Sequence, residues 1–262
     1  MTTEFNTLWI VGASSGIGKA LVKQFDREGR TLFISARSVK DLAALAQRCR
    51  GRVIPVVVDI TDERAVLSAV EQVAGDSATL DLLIINAGTC EYIDAGNIDQ
   101  RAIERVVATN FTGATRVVAA ALPLLRRNRA KGDRKKLVFT SSSATYLPLP
   151  RAGVYGGSKA ALRYFAECLR LDLQHENIEV QIVSPGFVRT PLTDRNDFSM
   201  PFILDADDAA RRMAAGVSGR QFDVQFPRRL TWLLNAIRCV PRKLREKMLG
   251  KLSRHSAVSG HP

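Results

Sequence analysis

Tyr155 and Lys159 stand four residues apart, a spacing that puts both side chains on one face of a helix. An ammonium beside a phenol favours the tyrosinate, so Tyr155 is expected to have a lowered pKa and to act as acid or base near neutral pH. A hydroxyl run, Thr140, Ser141, Ser142 and Ser143, precedes the pair. Near the start of the chain, Gly12, Gly16 and Gly18 form a G-x-x-x-G-x-G turn that also contains Ser14, Ser15 and Ile17. Glycines there permit a tight turn and close backbone approach, which is how a pyrophosphate is held at a helix N-terminus. Arg37 and the small Ala36 occupy the place where a dinucleotide site usually carries an acid for the ribose hydroxyls, and a guanidinium there pairs instead with a 2′-phosphate. Each feature alone also has a plain reading: a surface tyrosine–lysine pair, an ordinary glycine turn, a solvated arginine. Their weight depends on the elements that would bring them together.

Short β-branched runs at 7–12, 31–36, 52–59, 81–86, 136–141, 178–184 and 221–226 predict seven strands, alternating with longer segments of helical period. Ala20, Leu21, Gln24 and Phe25 make one such period; Val66, Ala69, Val70 and Val73 make another, with Asp62 and Glu63 where the helix dipole favours acids. Strands as continuously apolar as Val56, Val57 and Val58 imply burial on both faces. The pattern predicts a doubly wound α/β fold, a seven-stranded parallel sheet flanked by helices. Such sheets bind ligands at the carboxyl ends of their strands. That edge collects the glycine turn, Asp59 with Ile60, Asn86-Ala87-Gly88, the serine run, and Pro185 with Gly186.

Taken jointly with Asn110, Tyr155-x-x-x-Lys159 and the segment from Ser184 to Thr190 (S-P-G-F-V-R-T), these motifs make the chain resemble the short-chain dehydrogenase/reductase family over residues 7–226. The resemblance implies a Rossmann-type fold and a nicotinamide-dependent oxidoreductase, for which Arg37 points to NADP(H). In it Tyr155 transfers the proton, Ser142 holds the carbonyl oxygen, Lys159 binds the nicotinamide ribose and tunes Tyr155, and Asn110 places a water in the proton relay. Ser142 is preferred to Ser141 and Ser143 because the family's serine-to-tyrosine interval is thirteen. Val188, through its backbone, and the Thr190 hydroxyl would contact the nicotinamide half. A homodimer or homotetramer is also implied, joined through helices beginning near Asp99 and Tyr155. Two positions depart from the family pattern: Val11 stands where threonine usually precedes the first glycine, and Ile85 where the first asparagine of N-N-A-G usually stands. The first and fourth strands are neighbours in a doubly wound order, so losing both polar groups leaves no orphan partner and is expected to be nearly neutral.

With 262 residues, 46% hydrophobic and 24% charged, the chain is not intrinsically disordered, and one catalytic domain over 1–226 is expected. Its net charge of +12 is concentrated in 211–262, where twelve basic residues meet only Asp223 and Glu246. A second basic stretch, 126–136, reads as a solvated loop at the edge opposite the site. The tail, 227–262, spaces Leu230, Leu233, Leu234, Ile237, Leu244, Met248 and Leu252 at helical intervals beside a row of Lys243, Lys247 and Lys251. Such a tail rests on an anionic membrane, closes the pocket or joins subunits. Residues 190–205 predict a substrate lid. Its Phe198, Met200 and Phe202, with Tyr146, Leu147, Leu149 and Phe187, either line a cleft for a small hydrophobic carbonyl or alcohol or pack the lid onto the body.

Four scattered cysteines without a C-x-x-C pair argue against a zinc site or a disulfide framework and fit a reducing cytoplasm. No basic stretch precedes the short apolar run at 8–11, so no signal peptide is expected, and no apolar run reaches the roughly 20 residues that span a bilayer. The expected protein is thus a cytoplasmic NADPH-linked oxidoreductase, with peripheral membrane contact through the tail as an outer reading. A non-catalytic NADP-sensing protein would use the same glycine turn but has no need of Asn110, Ser142, Tyr155 and Lys159 together. A nucleic-acid binder would use the positive charge, yet no aromatics interleave a basic stripe.

Overall fold

The computed structural model describes residues 5–77, 79–127, 134–194 and 196–250. Among them lie strands β1 Thr7–Val11, β2 Thr31–Ala36, β3 Arg52–Val57, β4 Leu82–Ile85, β5 Lys135–Thr140, β6 Ile178–Pro185 and β7 Asp223–Phe226. They form one parallel sheet in the order β3-β2-β1-β4-β5-β6-β7. The helices are α1 Gly16–Phe25, α2 Val39–Ala46, α3 Glu63–Asp76, α4 Gln100–Val107, α5 Ala114–Arg126, α6 Gly153–Asp172 and α7 Ala206–Ser218, then α8 Arg228–Arg238 and α9 Arg242–Gly250 after β7. The predicted doubly wound fold is what the chain adopts. Its order reverses between β1 and β4, and a crevice opens where connections leave to opposite sides.

Period-two alternation along β1 assigns the layers: Trp9 and Val11 face α3, α5 and α6, while Leu8 and Ile10 face α1, α2 and α7. Both faces are therefore apolar and covered over the central strands, each fully buried aliphatic side chain contributing about 1.5–3 kcal/mol; β3, expected to be buried on both faces, is instead an edge strand, and its Val57 is 45% exposed while Val56 and Val58 are buried. β3 stops two residues short of its predicted end because Asp59 turns away, its carboxylate accepting the N–H and hydroxyl of its own Thr61 at 2.9 and 2.8 Å. Asp62 caps α3 by accepting from the N–H groups of Arg64 and Ala65. Val11 and Ile85 are direct register partners across β1 and β4, each 1% exposed, so the two departures from the family pattern sit side by side in the core.

The basic stretch 126–136, expected as a solvated loop, is exposed at its start, Arg126 and Arg127, but buried at its end, where Lys135 and Lys136 open β5; 128–133 lie outside the described residues. Lys135 is buried against Asp81 at 2.7 Å, and Arg134 forks onto Glu179. Lys136 donates to the carbonyls of Val217 and Gly219 at 2.8 and 2.6 Å. A strand start in a parallel sheet lies beside the C-termini of the covering helices, so the negative end of α7 takes this cation in. At the other end of β7, Leu230 of α8 packs against the backbone beside Gly186. Lys251, Leu252 and Arg254 of the predicted tail row lie outside the described residues.

Candidate active site

Gly12 and Gly16 have φ of +93° and +52°, where a side chain would be strained. A Cβ on Gly12 would fall 2.5 Å from the Ala87 nitrogen, and one on Gly18 would strike the Gly12 carbonyl. These positions thus bring β1, α1 and the end of β4 into backbone contact. Ser15 precedes α1 in an extended conformation and makes no side-chain cap, so the first-turn N–H groups remain available to an anion. Asn86 ties the turn to β5, its amide donating to the Gly12 carbonyl at 2.9 Å and its oxygen accepting from Thr140 at 3.2 Å.

The predicted site residues converge on one cleft of about 780 Å³: Gly12, Ser14, Ser15, Gly16, Ile17, Arg37, Asp59, Ile60, Asn86, Ala87, Gly88, Ser142, Tyr155, Lys159, Pro185, Gly186, Val188 and Thr190 all line it. Gly18 and Asn110 stand behind its wall. Arg37 is exposed at the far end from Tyr155, just past β2. Burial alone would raise the neighbouring Asp59, but its bonds to Thr61 and the charge of Arg37 hold it below the ordinary carboxylate range. A glycine cradle that no side chain could share, with a cation beyond it, fits the pyrophosphate and adenosine end of a dinucleotide.

Tyr155 and Lys159 occupy the first turns of α6, and Ser142 begins a tight turn after β5, its hydroxyl accepting from the Ala144 N–H at 3.1 Å. Ser142 and the Tyr155 phenol line the same stretch of the cleft. The expected lowering of the Tyr155 pKa is not found: burial pushes the phenol up to about 12, outweighing the lowering from the Ser142 hydroxyl. The Lys159 ammonium donates to the Thr140 carbonyl at 2.8 Å, and burial brings it down to about 8. Asn110 lies in a π-helical turn between α4 and α5, fully buried. Its oxygen accepts from the Thr89 N–H at 2.7 Å and its amide donates to Thr89 and Ser158. A π turn widens the helix and aims the side chain sideways, a device common at functional sites. Asn110 Oδ1 and Lys159 Nζ approach the same face of Gly88, 3.2 and 3.1 Å from where its Cβ would be.

Of the apolar residues expected either to line the cleft or to pack onto the body, Phe198 and Phe202 stay exposed and two others turn inward. Tyr146 and Leu147 are buried in the body, the Tyr146 hydroxyl donating to Asp223, which also accepts from Ser184 at 2.8 Å and Arg163 at 2.7 Å. A buried carboxylate demands several donors, and Tyr146 is one of them. Tyr92, which sequence reasoning missed, meets Phe198 edge-on at 5.4 Å, and Phe198 meets Phe187 at 6.0 Å. Arg151 covers the Tyr92 ring and pairs with Asp197 at 2.9 Å, so three loops are joined to one another. No local spacing announces contacts between loops this far apart in the chain.

A dinucleotide cradle at a switch point, with a phenol, a hydroxyl and an ammonium at its inner end, defines the class of doubly wound oxidoreductases. The short chain dehydrogenase family profile matches residues 6–199, and the chain belongs to that family. An "Uncharacterized oxidoreductase" of Myxococcus xanthus is 32% identical over 244 residues, covering 92% of this chain and 95% of that protein. "11-beta-hydroxysteroid dehydrogenase 1A" of Arabidopsis thaliana is 35% identical over 195 residues, 72% of this chain and 54% of the relative. A solved short-chain dehydrogenase from Sphingobium yanoikuyae in complex with NADPH shares 27% identity with a TM-score of 0.76, covering 95% of this chain and 97% of that one.

Proposed function

We propose that the protein is an NADPH-dependent reductase of apolar carbonyl compounds in which Tyr155 is the proton donor. The observation that carries this reading is that the Tyr155 phenol and the Ser142 hydroxyl line the same cleft, one helical turn from buried Lys159. When bound, the nicotinamide supplies the hydride. The α1 N-terminus holds the pyrophosphate, Arg37 bonds the 2′-phosphate, and Lys159 reaches the nicotinamide ribose. Ser142 donates to the substrate carbonyl oxygen, and Tyr155 delivers its proton to that oxygen as it becomes an alkoxide. Asn110 and Lys159 frame the polar gap over Gly88, through which a water passes the replacement proton.

Tyr92, Phe187 and Phe198 form an aromatic cluster, Phe187 directly following cleft-lining Gly186, which suits a hydrophobic ketone or aldehyde; the steroid in the name of the Arabidopsis relative agrees with that class. The catalytic unit is taken as 1–226, with 227–262 its basic tail. Self-association is assigned to α4 and α6, where Tyr164, Cys168 and Leu171 make an exposed row at helical spacing. The test is an NADPH-oxidation screen over aldehydes, ketones and lipid or steroid carbonyls, repeated with Tyr155→Phe. The variant should keep NADPH affinity within a few-fold and lose roughly 10² or more in kcat. Near-normal turnover would remove Tyr155 from the mechanism, whereas NADPH binding with no turnover on any carbonyl would favour a non-catalytic sensor.

A further inference from the structure

No residue of α9 is buried, and Leu244 and Met248 on it are 53% and 42% exposed. On α8, Leu230 and Thr231 face the body, which turns Trp232 outward, 71% exposed, with Arg228 one turn before it on the same side. Arg228, Arg229, Arg238, Lys243 and Lys247 are all exposed, and among the described residues none has an acidic partner; Arg242 alone is paired, with Glu246 at 2.6 Å.

We infer that the outer faces of α8 and α9 dock on an anionic lipid bilayer. Exposed apolar side chains ringed by unpaired cations match an interfacial helix pair, with Trp232 at headgroup depth. A second copy is the poorer occupant, since it would bring the same cations to a shared two-fold face. The placement also has a use. The Gly186 N–H donates to the Phe226 carbonyl at 2.7 Å and Leu230 packs beside Gly186, so α8 starts next to the nicotinamide segment. Phe198 and Phe202 of the lid are exposed at that same carboxyl edge, where an apolar substrate could pass from lipid to cleft with little water between. The inference goes beyond the proposed reductase activity and does not depend on it.

The test is cosedimentation of the full chain with phosphatidylcholine vesicles prepared with and without phosphatidylglycerol, over a salt series. The wild type should sediment with the anionic vesicles only, and added salt should release it. A variant carrying Arg228→Gln, Arg229→Gln, Arg238→Gln, Lys243→Gln and Lys247→Gln should lose binding, each change lowering the partition coefficient about fivefold. Trp232→Ala should weaken binding and leave its salt dependence unchanged. Unaltered circular dichroism and NADPH binding would show that the variants are folded, and neither readout requires a known substrate. Equal sedimentation with both vesicle types, or of both charge forms, would overturn the inference. So would absence from anionic vesicles combined with retention on immobilised polyglutamate, in favour of an acidic protein partner.

Discussion

Lys159 sits between the Thr140 carbonyl and Gly88, and burial brings its ammonium down to about 8. Tyr155, pushed up to about 12, stays a phenol across the usual working range. The two values assign the pH dependence of reduction. Below about 8 the lysine is charged and the phenol is ready to donate; above it the charge is lost while the phenol is unchanged. The kcat/KM for carbonyl reduction should therefore be level on the acid side and fall as pH rises through about 8. Lys159→Arg, whose guanidinium keeps its charge, should lower the maximum and remove that limb, a comparison read from initial rates across pH. At the opposite end of the cleft, Arg37 is exposed and its bond to a 2′-phosphate is expected to contribute about 1.5–3 kcal/mol. Arg37→Asp should reverse the preference for NADPH over NADH, the more so because Asp59 already lies in that field. Fluorescence titration with both cofactors measures it, and equal wild-type affinities would refute the role.

Between elements, β1 and β4 meet through Val11 and Ile85, which share one register position and one apolar cluster. Neither side chain has a polar atom, so the pair asks nothing of its surroundings. Val11→Thr would bury a hydroxyl with no assigned partner there, at a cost of about 1–3 kcal/mol. Adding Ile85→Asn supplies a partner, and the double variant should be less destabilised than the sum of the single changes. Urea unfolding of the four proteins gives the coupling directly. The result would explain how both positions depart together from the family pattern while Gly12, Asn86 and Gly88 keep their contacts.

For the molecule as a whole, the sheet divides labour between its edges: the carboxyl ends of the strands hold the cleft, and the amino ends hold buried charge. Asp81 accepts the N–H groups of Asn6 and Thr7 and the ammonium of Lys135. Burial alone would raise its pKa, but these donors bring it below the ordinary 3.8. Its contribution is therefore full above that value and fades as pH falls through the lowered one. Lys135→Met leaves the carboxylate buried with only its backbone donors, and a loss of about 3–5 kcal/mol in urea unfolding is expected, with kcat unchanged because the cleft is at the other edge. A matching loss of kcat would show that the two edges are coupled. What the amino-acid sequence by itself determined is local: strand and helix period, glycines where φ is positive, and a tyrosine and lysine one turn apart follow from covalent geometry and near neighbours. The tertiary structure decided what the burial of each group does to its charge. Tyr155 was raised where its lysine neighbour suggested lowering, and Lys135 was buried where a loop was expected. Tyr146 was drawn inward to Asp223, 77 residues away, because partners for buried polar groups come from whichever strands and helices packing brings near.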